Sequence, residues 1–191
     1  ISPQRKYHGI STQIIGQIKN VRVPFNIDIG VGDVIVPRAE ERTISTQLPD
    51  FESPVILTYS LESTIAEKFD AILQRFELTS RMKDFYDIYY LSKTFNFDGA
   101  KLQTAIFETL QCRGTPYEKN SFKRIVALAD DEDIQKRWRF FLRTIKDATL
   151  AFSMVINEIQ IFLEPVFDAI VNETEWQENW KPTDRCSNNH N

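Results

Sequence analysis

Cysteine and histidine are almost absent from this chain of 191 residues. The two cysteines, Cys112 and Cys186, form neither a disulfide framework nor a paired metal-binding motif, and His8 and His190 lie near opposite ends of the sequence. These few residues exclude a zinc site built on Cys and His motifs. They fit a protein that works in the reducing cytosol.

Long apolar runs are missing as well. The longest ones fall far short of the roughly 18–20 residues of a membrane-spanning helix, and no basic-then-apolar signal peptide opens the chain. We therefore expect a cytoplasmic protein that has no membrane partner. Hydrophobic residues still make up 42% of the chain and aromatic residues 12%, which is enough to bury a real core.

The net charge of −4 is unevenly distributed along the sequence. Residues 119–146 hold eight Lys and Arg against four Asp and Glu, a net charge of +4, whereas residues 147–191 hold two against eight, a net charge of −6. Segments of opposite charge either pair with each other inside the fold or bind an external polyanion.

The first part of the chain has the pattern of β-strands. Between Tyr7 and Val36, two stretches alternate apolar and polar residues, and Lys19 and Asn20 separate them at a plausible turn. This pattern predicts two antiparallel strands. The polar segment from Arg38 to Ser53 predicts a loop, and Val55 to Tyr59 predicts a further short strand.

From Ser60 onward the pattern becomes helical. Helices are expected at about 61–77, 80–94, 99–112, 119–129, 131–146 and 149–172. The expected N-caps are Ser60, Asp98, Asp130 and Thr149, and Gly114 is the expected stop of the third helix. Pro165 is expected to kink or break the last helix. Strands followed by helices predict the α+β class.

Charged residues stand close to the apolar stripe of the first predicted helix. Winding Leu61 to Phe76 at about 100° per residue places the apolar side chains between roughly 0° and 120°. Glu62 falls inside this stripe at about 100°, and Lys68 lies about 20° outside it. A charge beside the core is costly unless it has a partner, so both residues need one.

The second predicted helix also carries charges among apolar residues. Its broad apolar face consists of Met82, Phe85, Tyr86, Tyr89 and Tyr90. The opposite face combines the charged residues Arg81, Asp84 and Asp87 with Ile88 and Leu91. Both faces of this helix are therefore expected to be covered.

Two interpretations of these charges remain open. In the structural one, Glu62 satisfies a backbone amide, Lys68 extends its head to water, and Arg81 pairs with Asp84 three residues later. In the functional one, a cleft lies between the two helices and the sheet. Lys68 would then point at an anionic group, and Asp84 or Asp87 would orient it.

Asp28 presents a similar choice. Phe25, Ile27 and Ile29 alternate along the second strand and are expected to point inward, which sends Asn26 and Asp28 to the other face. That face is either the solvated side of an antiparallel strand or the wall of an open cleft. A strand carboxylate at a cleft is a typical ligand for Mg²⁺ in phosphoryl transfer.

Three segments together carry a family resemblance: "IDIGVGD" from Ile27, "YSLESTIAEKFDAILQR" from Tyr59 and "SRMKDFYDIYYL" from Ser80. In this order and spacing they resemble the C-terminal two-thirds of AbiEii/AbiGii-type nucleotidyltransferase toxins, over roughly Tyr7 to Phe167. The resemblance implies part of a nucleotidyltransferase-fold antiparallel or mixed sheet followed by a helical bundle. It also implies a toxin of type IV toxin–antitoxin and phage-defence systems, with a cognate antitoxin as a partner.

The activity implied by the resemblance is Mg²⁺-dependent transfer of a nucleotide from an NTP to an acceptor, which in some relatives is tRNA. Asp28 matches the metal-binding carboxylate on the core strand, and Lys68 matches the lysine that holds the triphosphate. Asp84 and Asp87 match the acidic motif, and which of the two is functional stays open.

One part of the family pattern is not in this sequence. The Gly-Gly or Gly-Ser turn with its downstream Asp-x-Asp is expected before Ile1, so the chain as given is expected to be inactive. The expected domains are the end of the catalytic core at 1–59, a helical domain at 60–180 and a disordered tail at 181–191. The rival hypothesis is a non-catalytic nucleotide-binding or protein-interaction module with the same fold.

The helix with the sequence "IQKRWRFFLRTIK" is a further candidate, starting at Ile134. Its expected core residues are Trp138, Phe141, Leu142 and Ile145. Its cations Lys136, Arg139, Arg143 and Lys146 form a ridge beside them. This ridge is a solvated face, a partner for the acidic final helix, or a contact surface for the tRNA backbone.

Overall fold

The computed structural model describes residues 9–30, 34–145 and 149–182. Within these residues it contains four strands and six α-helices, and every strand pair is antiparallel, so the predicted α+β class is confirmed. The chain divides into two compact units, residues 1–34 and residues 35–191. The domain boundaries expected after residues 59 and 180 stay predictions, and most of the expected disordered tail lies outside the described residues.

The first unit is a β-hairpin of two ten-residue strands, β1 (Gly9–Ile18) and β2 (Val21–Gly30). Ile18 pairs with Val21 across the predicted turn at Lys19 and Asn20, and Lys19 has a positive φ of 51°. Positive φ at the turn is typical of tight hairpins, because it matches the twist of the strands.

The two faces of the hairpin differ in polarity as the alternation predicts. Asp28 pairs with Ser11 on the polar face, while Phe25, Ile27 and Ile29 share the apolar face. The expectation that these three side chains are buried is wrong, because between 40% and 47% of each is exposed. The exposed side chains of this face are Ile10, Ile14, Ile18, Val21, Val23, Phe25, Ile27 and Ile29.

A second antiparallel pair belongs to the larger unit. Its strands are β3 (Glu40–Thr43) and β4 (Val55–Thr58). The sequence predicted β4 but assigned residues 38–53 to a loop, so the prediction missed β3. Its sequence, EERT, has no apolar alternation, and it is extended because its backbone pairs with β4.

All six predicted helices are present. They are α1 (Leu61–Leu73), α2 (Met82–Thr94), α3 (Gly99–Arg113), α4 (Ser121–Ala127), α5 (Glu132–Ile145) and α6 (Phe152–Val171). The first ends at Leu73 rather than at about residue 77, and a separate 3-10 turn follows at Phe76–Leu78. The last runs through Pro165 without a break.

The helix ends test the capping predictions. The Ser60 and Asp98 side chains accept hydrogen bonds from the amides of Ser63 and Lys101, each at 3.0 Å, which confirms both caps. Gly114 ends α3 at a φ of 59°, a conformation that favours glycine.

Two predicted caps are wrong. The Asp131 carboxylate, rather than that of Asp130, accepts from the Ile134 amide at 2.8 Å, because a 3-10 turn extends α4 through Asp130. The last helix begins after Ala151, so Thr149 lies too far upstream to cap it.

The hydrophobic core lies among the helices. It is mostly aliphatic, and it includes a group of aromatic rings in which Phe69 of α1, Phe122 of α4 and Phe167 of α6 are in mutual contact at centroid distances of 5.7–5.8 Å. Such pairs add to the free energy gained by burying apolar area. Among the described residues, no helix is apolar over a length sufficient to cross a membrane.

The residues after α6 form a strap across the bundle, which we define as residues 174–182. Phe97 and Trp180 exchange backbone hydrogen bonds of 3.1 and 2.9 Å, and the Trp180 indole donates to the Ser92 carbonyl at 2.7 Å. The Gly99 amide donates to the Asn179 side chain at 3.1 Å. A Cβ at Gly99 would lie 2.1 Å from the Glu178 carbonyl oxygen, so only glycine allows this approach.

Candidate active site

The candidate site lies between α1 and α2, where Lys68 bridges the two helices. Its Nζ lies 2.6 Å from Asp87 Oδ2 and 3.5 Å from Asp84 Oδ1. The two carboxylates are three residues apart on α2, so they lie on one face of the helix and reach the same ammonium group. The structure therefore brings together Lys68, Asp84 and Asp87, which the sequence singled out.

Two further cations complete the cluster. The Arg81 guanidinium forms two hydrogen bonds with the Asp84 carboxylate, through Nε and, at 3.2 Å, through Nη2. Lys83 Nζ lies 2.5 Å from Asp87 Oδ2. Each carboxylate thus contacts Lys68 and one other cation, and three cations against two carboxylates give a formal net charge of +1.

Burial decreases steadily across the cluster. The Asp84 side chain is 3% exposed, those of Lys68 and Asp87 are each 18% exposed, and those of Arg81 and Lys83 are 54% and 71% exposed. The cluster is therefore anchored in the protein at Asp84 and opens to solvent at its cations. A polyanion approaching from solvent would meet positive charge first.

The structure bears on both interpretations of these charges. The Arg81–Asp84 pair expected from the structural interpretation is present. The functional interpretation expected Asp84 or Asp87 to orient Lys68, and Lys68 contacts both of them. The assignment of the second helix's faces needs one correction. Tyr90, placed on the apolar face, is 52% exposed, whereas Asp84 and Ile88 are buried beside Met82 and Phe85.

The positions of the two carboxylates suggest different tasks. Asp84 is the more deeply buried, and its bonds to Arg81 fix the start of α2. Asp87 makes the shorter contact with Lys68 and is more exposed. We therefore expect Asp84 to contribute mainly to stability and Asp87 mainly to the position of Lys68.

This division can be measured with two matched substitutions. Asp84→Asn should lower the free energy of unfolding by about 2 kcal/mol, because it weakens buried charge-assisted hydrogen bonds. Asp87→Asn should lower it by no more than about 1 kcal/mol, since its pairs are partly solvated. Urea unfolding followed by circular dichroism gives both values, and a larger loss for Asp87→Asn than for Asp84→Asn would contradict the division.

Asp28 lies on the other unit of the chain. It occupies the polar face of the hairpin, with Asn26 two residues before it and Ser11 opposite it. Its convergence with Lys68 in one cleft stays a prediction.

The described residues alone do not form a complete Mg²⁺ site. Within residues 9–30, 34–145 and 149–182, no three His, Cys, Asp or Glu side chains come together as possible ligands. Asp28 offers one carboxylate, with an amide and a hydroxyl near it in the hairpin register. Mg²⁺ prefers octahedral oxygen coordination, so further oxygens would have to come from a substrate or from other residues.

The sequence interpretation missed a second charged cluster at α1. Asp70 is completely buried and accepts hydrogen bonds from Arg113 Nη1 and Gln74 Nε2, both at 2.9 Å, and from the Thr115 hydroxyl. The Arg113 guanidinium also binds Glu67. By helical winding Asp70 lies at about 180°, outside the apolar stripe, so its burial depends on α3 packing against that side. We assign this cluster to the stability of the α1–α3 contact.

The chain matches one known protein family. The family model described as the nucleotidyl transferase AbiEii toxin of type IV toxin–antitoxin systems matches residues 1–176. This range is slightly wider at both ends than the expected resemblance from Tyr7 to Phe167. No curated protein and no solved structure matches the chain.

Proposed function

The chain belongs to the AbiEii family of nucleotidyl transferase toxins of type IV toxin–antitoxin systems, and from this premise we propose that it transfers a nucleotide from an NTP to an acceptor such as tRNA. The observation that carries the proposal is the arrangement around Lys68. Both carboxylates that it contacts have a second cation partner, Arg81 for Asp84 and Lys83 for Asp87.

Because of these second partners, the Lys68 ammonium can move away from both carboxylates without leaving either of them unpaired. A buried carboxylate that loses its only cation carries a large desolvation cost. Asp84 and Asp87 avoid that cost, because Arg81 and Lys83 stay in place when the Lys68 ammonium turns toward a triphosphate. The two carboxylates then act as positioning residues that hold the ammonium close to its working position.

In the proposed reaction, a hydroxyl oxygen of the acceptor attacks the α-phosphorus of the NTP. A new oxygen–phosphorus bond forms, the bond from the α-phosphorus to the bridging oxygen breaks, and pyrophosphate leaves. The hydroxyl proton passes to solvent. The leaving pyrophosphate gains negative charge, and Lys68 stabilises that charge more strongly than it stabilises the bound NTP.

The proposal includes Mg²⁺ as the cofactor, with Asp28 as one of its ligands. When bound, the ion would neutralise charge on the triphosphate. We place the reaction in the cytoplasm, where NTPs and tRNA are present, and a cognate antitoxin would counteract the resulting toxicity.

A nucleotide-transfer assay with two lengths of chain tests the proposal. The 191-residue chain is incubated with labelled NTPs, Mg²⁺ and total tRNA, and the assay is repeated with an extended chain that carries any residues its gene encodes before Ile1. The short chain should fold through its helical unit, because α1 to α6 bury a common core, but it should transfer no nucleotide. The extended chain should label the RNA.

Three other outcomes are informative. Robust transfer by the short chain would mean that the metal-binding carboxylates are misplaced in the proposal. Unchanged transfer by the extended chain with Asp28→Asn would remove Asp28 from the site. An extended chain that binds NTP and transfers nothing would favour the non-catalytic module.

A further inference from the structure

The exposed side of α5 carries a concentrated positive charge. Residues 134–145 hold four Lys and Arg and no Asp or Glu. Ile134, Trp138 and Leu142 are buried, and the Trp138 indole donates to the Leu150 carbonyl at 2.8 Å, so the inward face of the helix is fixed. The cations must therefore occupy the remaining surface.

Phe140 lies in the middle of these cations. Its side chain is 69% exposed, although the helix already buries a continuous apolar face elsewhere. On a helix, positions three and four residues away are its neighbours. For Phe140 these are Lys136 and Arg137 on one side and Arg143 on the other.

The cations around Phe140 are only partly engaged. Lys136 pairs with Asp133 at 3.0 Å, and this contact lowers the pKa of the Asp133 carboxyl. Arg137 donates to the Glu77 and Thr79 carbonyls at 3.2 and 2.7 Å. Arg139 and Arg143 form no hydrogen bond or ion pair with any residue that the structure describes.

The acidic final helix does not neutralise this surface. Glu158 of α6 pairs with Lys93 of α2 at 2.6 Å, and Glu164 accepts from Gln160 on its own helix at 2.9 Å. Across the described parts of both helices, no ion pair joins α5 to α6. The interpretation that the ridge serves as a partner for α6 therefore gains no support from the described residues, and the charge of Arg139 and Arg143 remains available to an external anion. Lys146, the fourth cation of the ridge, lies outside the described residues.

We infer that this face of α5, defined by Lys136, Arg139, Phe140 and Arg143, binds single-stranded RNA by stacking an unpaired base on Phe140 between phosphate-binding cations. Flat bases stack on exposed aromatic rings whatever their sequence, and neighbouring Arg and Lys neutralise the backbone. A membrane surface would need a broader apolar face than one ring. An acidic peptide would gain little affinity from contact with the Phe140 ring.

The inference rests on the proposed function, because it assigns the binding surface for an RNA acceptor. It adds a specific chemical requirement, namely an unpaired base. The surface would hold the acceptor independently of the NTP, so its binding is measurable without catalysis.

Binding is tested by fluorescence anisotropy at low salt, with a labelled single-stranded RNA and with the same strand annealed to its complement. Phe140→Ala should weaken binding of the single strand by roughly 5- to 100-fold, and should leave duplex binding within about twofold. The double variant Arg139→Gln and Arg143→Gln should reduce the slope of log affinity against log salt by about 1.4. Phe107→Ala is the matched control, since Phe107 on α3 is 41% exposed and has no cation three or four residues away.

Two results would overturn the inference. In the first, Phe140→Ala leaves single-strand binding unchanged, or Phe107→Ala weakens it as much as Phe140→Ala does. The other is no RNA binding at low salt, including the case in which vesicles of anionic lipid are bound instead. RNA binding that depends on Phe140, in an extended chain that transfers no nucleotide, would support the surface and contradict the proposed reaction.

Discussion

Lys68→Ala is expected to abolish nucleotide transfer and toxicity in the extended chain, while the fold stays intact. Transfer should fall by at least about 100-fold, because removing one group that stabilises transition-state charge typically costs that much. The fold should survive because Asp84 keeps its ion pair with Arg81 and Asp87 keeps its ion pair with Lys83. The Lys68 side chain is 18% exposed, so the loss of its stem should remove some packing between α1 and α2 without unfolding the unit.

The measurements are transfer of labelled nucleotide, bacterial growth after induction, and thermal unfolding of each variant. Lys101→Ala is the matched control. It also removes a lysine from a helix ion pair, but Lys101 on α3 is 52% exposed and its contact with Asp98 at 3.8 Å lies outside the cluster. Activity should persist in this control. A Lys68→Ala protein that keeps its activity, or one that melts far below the parent, would assign Lys68 a purely structural role.

Asp70→Ala is expected to have the largest effect on stability. The substitution should lower the free energy of unfolding by about 3 kcal/mol, since it removes one partner of a buried ion pair and leaves a cavity, while Arg113 keeps its contact with Glu67. Thr115, which is buried, and Gln74, which is exposed, also lose their acceptor. A loss of this size is a large fraction of the stability of a typical domain.

Urea unfolding at constant pH measures this effect. Asp98→Ala is a suitable control, because Asp98 is a half-exposed N-cap whose loss should cost only about 1 kcal/mol. If the two variants lose similar stability, the Asp70 cluster is not a major contact between α1 and α3. Asp70→Asn should fall between them, because the amide still accepts one of the hydrogen bonds.

The helices could be predicted well because their signals are local. Each apolar residue that repeats along a helix lies within one turn of the next. The caps Ser60 and Asp98 lie within one turn of the helix ends that they fix. Errors occurred where a neighbouring element decided the outcome. Asp131 caps α5 because a 3-10 turn extends the preceding helix, and β3 exists because β4 pairs with it.

The candidate site was partly predictable for a related reason. Lys68, Asp84 and Asp87 stood out as charges beside apolar stripes, and a charge in that position needs a partner nearby. Asp70 gave no such signal, because only the packing of α3 buries it. Alternation likewise placed Phe25 and Ile27 on one face of the hairpin, but it carries no information on whether another element covers that face.

The strap carries the folded unit beyond the end of its family likeness. The matched region stops at residue 176, yet Asn179 and Trp180 bind groups in the interior of the bundle. A fragment excised at the end of the likeness would leave the Phe97 backbone and the Ser92 carbonyl without these partners at buried positions. Any transplant of this toxin module into another protein should therefore carry the chain through Trp180.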